Sequence, residues 1–194
     1  MNNIYLIESD GFDFKWIALE IDDFIDQIPK RYSDKEIFQY SHHNLKLSEG
    51  WKDISSEFIQ TETKQEHRIP DVSLWLTGAS LVLSPKAFSA LEALLSPFGE
   101  FLPVLCNNEN FYIFNCLSLA EADPAQSEHI LQDGHIVGEL KIGFDQKEVS
   151  SKSIFKTKFN ACRDIYCGDT VKNIIESNNL TGVKFSPKLI SSFD

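Results

Sequence analysis

The chain predicts an α+β fold, mainly antiparallel sheet with a few packed helices. Three observations lead there. Short apolar runs of strand length follow one another along much of the chain, whereas only two segments carry a clear helical period. Strands that outnumber helices and adjoin each other favour α+β over alternating α/β. Of the 194 residues, 42% are apolar, with 15 Phe and 3 Trp, enough to build a core.

Ile4-Tyr5-Leu6-Ile7 reads as a short buried strand and Asp10-Gly11 as a turn. Phe14, Trp16 and Ala18 alternate with Lys15 and Ile17, which predicts a second strand. Residues 30–70 are richer in Lys, Ser, Glu and Gln and read as irregular or partly helical, with Trp51 anchoring them to the core. Ser73, Trp75 and Leu81-Val82-Leu83 are strand-like, with Gly78 as a break. The clearest helix follows. Ser84 suits an N-cap, and Pro85 suits the first helical position because its missing N–H is not needed there. Phe88, Leu91, Leu94 and Leu95 recur at helical spacing, and Pro97 and Gly99 end the run. Phe101 to Leu105 and Phe111 to Cys116 form a hairpin around Asn107-Asn108-Glu109-Asn110. Residues 118–135 read as a polar, acidic connector broken by Pro124 and Gly134. Strands are expected over 136–143, 153–158 and 164–167. A last helix is expected with Asp169 as N-cap and Val171, Ile174 and Ile175 on one side. Asn178-Asn179 closes it, and Thr181 to Phe185 adds a final strand. Residues 1–48 divide off as N-terminal strands and an acidic, irregular lobe, and residues 49–194 as the main α+β domain; one continuous domain is the alternative.

The net charge is -11. Phosphate backbones and anionic membranes repel such a surface, so neither nucleic acid nor membrane is an expected partner, whereas a basic protein is attracted. The charge is uneven: the balance is -6 over residues 1–70, -8 over 71–139 and +3 over 140–194. The N-terminus carries no basic region or long apolar run, and no stretch approaches the ~18 apolar residues of a membrane span. A cytoplasmic location is expected.

Motifs of chemistry do not emerge. Cys106, Cys116, Cys162 and Cys167 follow no zinc spacing and read as buried thiols. There is no G-x-S-x-G elbow, no H-E-x-x-H and no G-K-[ST]. His42-His43 and the pair His129 and His135 read as solvated loop residues. No catalytic residue, metal or cofactor is assigned. What remains is surface: Glu121, Asp123, Glu128 and Asp133 in the connector, and Asp22, Asp23 and Asp26 in a second acidic cluster. Acidic loops on a rigid scaffold suit the basic cleft of a protein partner, and charge complementarity speeds its capture. The bland reading of these carboxylates is a solvated face.

Several strings resemble, in the same order, the Imm11 family of immunity proteins from bacterial polymorphic-toxin systems. They are Pro70-Asp71 before an apolar strand, Leu83-Ser84-Pro85-Lys86-Ala87 opening a helix, and Gly99-Glu100-Phe101-Leu102-Pro103-Val104. Phe111-Tyr112-Ile113-Phe114-Asn115-Cys116 comes next, followed by Asp123 and Ser127. Ile154-Phe155-Lys156, Asp164-Ile165-Tyr166-Cys167-Gly168-Asp169 and Thr181-Gly182-Val183-Lys184-Phe185 complete the set. The likeness spans about 50–190. It implies a cognate protein toxin as partner, stoichiometric neutralisation and no catalysis, and it carries no set of binding residues. The competing readings are a small hydrolase or metal-dependent enzyme with an unfamiliar site, and a regulatory interaction module without a toxin.

Overall fold

The computed structural model describes residues 3–11, 13–60, 65–76 and 80–191. The expected break at Gly78 lies outside them. Strand β1 (Ile4–Ser9) and the short β2 (Trp16–Ile17) open the chain. In β2 and just after it, Ile17 and Leu19 are buried and Trp16 is exposed. Two 3-10 turns (Ile21–Asp23 and Ile25–Gln27) follow, seating Ile21, Phe24 and Ile28 inward. Helix α1 (Asp34–Phe38) starts on a capping box in which the Ser33 hydroxyl accepts from the Glu36 N–H and the Glu36 carboxylate accepts from the Ser33 N–H. Helix α2 (Tyr40–His43) ends at left-handed Asn44. The segment expected to be irregular or partly helical holds these two short helices, then β3 (Ser55–Ser56) and β4 (Phe58–Ile59). Trp51 is buried and its indole N–H donates to the Pro103 carbonyl at 2.7 Å.

Next come β5 (Val72–Trp75), β6 (Ser80–Leu83) and α3 (Pro85–Leu95). The Ser84 hydroxyl accepts from the Ala87 N–H, as its position before Pro85 requires. The core hairpin is β7 (Gly99–Cys106) and β8 (Glu109–Cys116), turned by Asn107 and Asn108, both at positive φ. A second hairpin, β9 (Glu128–Gln132) and β10 (His135–Lys141), replaces the last part of the expected connector. Helix α4 (Gln146–Val149), β11 (Ile154–Phe155) and β12 (Tyr166–Gly168) lead to α5 (Asp169–Ser177) and β13 (Val183–Ser186). Gly168, not Asp169, is the N-cap of α5; the Asp169 carboxylate instead accepts from the Asn3 backbone N–H at 2.9 Å and from the Tyr5 hydroxyl, tying the helix start to β1.

Five strands form one sheet in the order β3-β7-β8-β6-β5, antiparallel except for the β3–β7 pair. Four form an antiparallel sheet in the order β11-β12-β1-β13. The period-2 alternation of strands sorts the core into layers. On one face of the larger sheet, Val82, Phe111 and Ile113 pack with Ile17, Leu19, Phe24, Leu47 and Trp51 from the N-terminal segment. On its other face, Leu81, Leu83, Phe114 and Cys116 meet Ala87, Leu91 and Leu95 of α3, Val171 and Ile175 of α5, and Ile7, Ile154 and Cys167 of the smaller sheet. The far face of the smaller sheet puts Leu6, Phe155 and Tyr166 against Ala120, Ile142, Phe144 and Val149. Strand β6 is buried on both faces, which explains its unbroken apolar run. The fold is α+β, with mostly antiparallel sheets.

Candidate docking surface

The acidic connector is a constructed loop. The Asp123 carboxylate accepts from the Ala125 N–H at 2.9 Å and from the Gln126 side-chain amide at 2.5 Å. These donors hold its carboxyl below the usual carboxylate range. The Asp123 N–H donates to the Gly143 carbonyl, and the Ser127 hydroxyl donates to that carbonyl while accepting from the Gly143 N–H. A Cβ at Gly143 would sit 2.5 Å from the Gln126 Cβ, so the close approach requires glycine here. The connector is thereby laced to the segment that follows β10, and the intervening residues project as a hairpin.

That hairpin turns at Asp133 and Gly134, with φ of 51° and 79°. Its register sets Leu131 opposite Ile136, Ile130 opposite Gly138 and His129 opposite Glu139, with irregularities at Val137 and Leu140. One face is fixed at its base. The His129 ring stacks on Phe159 at 3.8 Å between centroids, its Nε2 lies 2.9 Å from the Phe159 carbonyl, and Glu139 is ion-paired with Arg163. The apolar side chains of the two strands are about half exposed or more: Ile130, Leu131, Ile136, Val137 and Leu140 are between 45% and 64% exposed. Among the described residues, β9 and β10 form a sheet of two strands alone.

Between Ile136, Val137 and the 158–163 loop runs a groove of about 420 Å³ that includes Phe159, Ala161 and Arg163. Ala161 and Cys162 are consecutive non-glycine residues at a φ of 56°, a left-handed pair held by N–H donation from Ala161 to the Lys158 carbonyl and from Cys162 to the Thr157 carbonyl. A second groove of about 300 Å³, lined by Phe38, Leu76 and His42 among others, shares Ala161 and Arg163 with the first.

Of the expected site residues, Glu121 and Asp123 lie on the connector, Glu128 starts β9 with its carboxylate 3.8 Å from Lys141, and Asp133 occupies the hairpin tip. Asp22, Asp23 and Asp26 are exposed on the two 3-10 turns. Asp23 also accepts from the Glu20 N–H and lines a cleft of about 520 Å³ with Asp53 and Glu57. The exposed apolar residues of the hairpin were missed by sequence reasoning. Their signal was Asp133-Gly134 between Ile130-Leu131 and Ile136-Val137, a turn dipeptide flanked by apolar pairs.

Among the described residues, no group of three or more His, Cys, Asp and Glu is placed to hold a metal ion. His129 and His135 lie opposite different residues of the hairpin, and His42 and His43 are exposed at the end of α2 rather than on a loop. All four cysteines are buried thiols. Burial pushes Cys106 up to about 11 and Cys116 up to about 12, which makes thiolate formation unfavourable. Lys156 is also buried. Its ammonium nitrogen donates to the Ser41 carbonyl at 2.9 Å, and burial pushes its pKa down. The Lys156 backbone brackets the connector, donating to the Ser118 carbonyl and accepting from the Ala120 N–H. This lysine is a joint between α2, the connector and β11.

Residues 107–188 match the immunity protein family Imm11. The Imm11 match begins in the turn of the core hairpin and takes in β8, the connector, the exposed hairpin, α5 and all of β13. It contains Glu121, Asp123, Glu128 and Asp133, whereas Asp22, Asp23 and Asp26 lie outside it. No curated protein matches the chain. Among the described residues, no helix is long and apolar enough to cross a membrane.

Proposed function

We propose that this chain is an immunity protein that binds a cognate bacterial toxin stoichiometrically in the cytoplasm and neutralises it without catalysis. The observation that carries this reading is the Imm11 match over residues 107–188. The net charge of -11 supports a basic partner such as a toxin with a basic active-site cleft, because complementary fields accelerate encounter. A stable inhibitor complex buries about 1,200–2,000 Å² in total. The connector and its hairpin offer acidic and apolar groups together, the mixture such interfaces use at rim and centre. The test is co-expression with the product of the gene directly upstream, which should restore growth and co-purify. Failure to protect against any neighbouring gene product would contradict the reading.

A further inference from the structure

We infer that the β9–β10 hairpin is the docking arm of this protein, and that its occupant is an apolar cleft rimmed by Lys or Arg on the toxin. This rests on the immunity reading and specifies its contact site. The apolar side chains Leu131, Ile136, Val137 and Leu140 are all more than half exposed, on strands that pair only with each other among the described residues. A two-stranded hairpin is marginal in water, and contiguous exposed apolar surface marks interaction sites.

Charge selects the occupant. Residues 118–135 contain Glu121, Asp123, Glu128 and Asp133 and no Lys or Arg. The nearby cations are Lys141, 3.8 Å from Glu128, Arg163, paired with Glu139, and Lys158 on the wall of the groove beside Ile136 and Val137. The carboxylates Glu121, Asp123, Glu128, Asp133 and Glu139 outnumber them, with Asp133 at the tip of the arm. A second copy would set acid against acid, with -11 on each chain. The irregularities at Val137 and Leu140 also interrupt the ladder of β10, a feature that disfavours edge-to-edge pairing. A basic-rimmed apolar cleft satisfies both the apolar side chains and the carboxylates.

The probe is the purified product of the upstream gene, titrated against the wild type, against a Leu131→Glu/Ile136→Glu double variant and against Asp133→Lys. The double variant should raise Kd at least a hundredfold and lose growth protection, with Tm and far-UV circular dichroism unchanged. Asp133→Lys should slow association several-fold at low salt, with the difference shrinking as salt screens it. Should the double variant misfold, Leu131→Ser alone should still raise Kd at least tenfold. Wild-type binding that the double variant retains within threefold overturns the docking arm and leaves the immunity reading standing. No binding by the wild type overturns both. A wild-type dimer that the double variant converts to monomer overturns the toxin as occupant.

Discussion

The two hairpins of this molecule share a local design and differ in what covers them. Both turn on two consecutive residues of positive φ, Asn107-Asn108 in one and Asp133-Gly134 in the other. In β7–β8, alternate residues are buried on opposite faces: Phe111 and Ile113 enter one core layer, Phe114 and Cys116 the next. In β9–β10, the same alternation leaves Leu131 and Ile136 in solvent. Turn chemistry makes a hairpin in either place, but only burial turns it into scaffold. The uncovered hairpin is held at its base by His129 on Phe159 and by the Glu139–Arg163 pair, and its far end is free to meet a partner.

This contrast can be broken at several points. The largest expected effect is in the covered hairpin. Phe114→Ala should cost about 3–5 kcal/mol in urea denaturation, because a large ring leaves a closed layer. A cost under about 1 kcal/mol would mean that this layer is not close-packed.

Alkaline pH comes next. Cys106 and Cys116, both on the covered hairpin, have their pKa raised from the ordinary 9.0 to about 11 and about 12. Their contribution is full below pH 9 and is lost as pH rises through the folded values, because the unfolded thiols ionise first. Each unit is about 1.4 kcal/mol, so the loss is on the order of a few kcal/mol. Lys156 acts in the opposite sense. Its folded pKa is lowered from 10.5, so its burial penalty fades as pH rises toward that value. Denaturation midpoints of Cys116→Ala should therefore fall less steeply than the wild type's above pH 9. Those of Lys156→Met should lack a rising contribution below pH 10.5.

The turns sharpen the comparison further. Gly134→Ala places a Cβ at a φ of 79° and should cost about 1 kcal/mol locally. Hydrogen exchange should show this loss in β9 and β10 amides, with global stability nearly unchanged. The smallest effect is Leu131→Ala, which should stay within about 0.5 kcal/mol by urea denaturation. A cost above 2 kcal/mol would mean that the hairpin is covered after all.

Much of the fold was legible because local signals agreed with burial. Ser84-Pro85 started α3, the apolar runs 101–105 and 111–116 became paired strands, and Asn179 closed α5 at a φ of 49°. The misreadings have physical causes. Strand β9 carries only Ile130 and Leu131 between polar ends, so it read as connector. The Ser33–Glu36 capping box was present in a polar stretch whose few apolar residues hid the helix period. Asp169 read as a cap from its place before an apolar run, while the groups that donate to its carboxylate, on Asn3 and Tyr5, are distant in sequence. Lys156 was invisible as a core residue because lysine is so rarely buried. Of the surface, the acidic residues were legible as charge, but the exposed apolar hairpin on which Glu128 and Asp133 sit was not.

Stoichiometry separates a binding protein from an enzyme more directly than any variant. Purified toxin, taken as the product of the upstream gene, should lose activity linearly as this protein is added and reach zero at one chain per toxin, with its covalent mass unchanged. Complete inactivation at one chain per hundred toxins, or an altered toxin mass, would contradict neutralisation by binding.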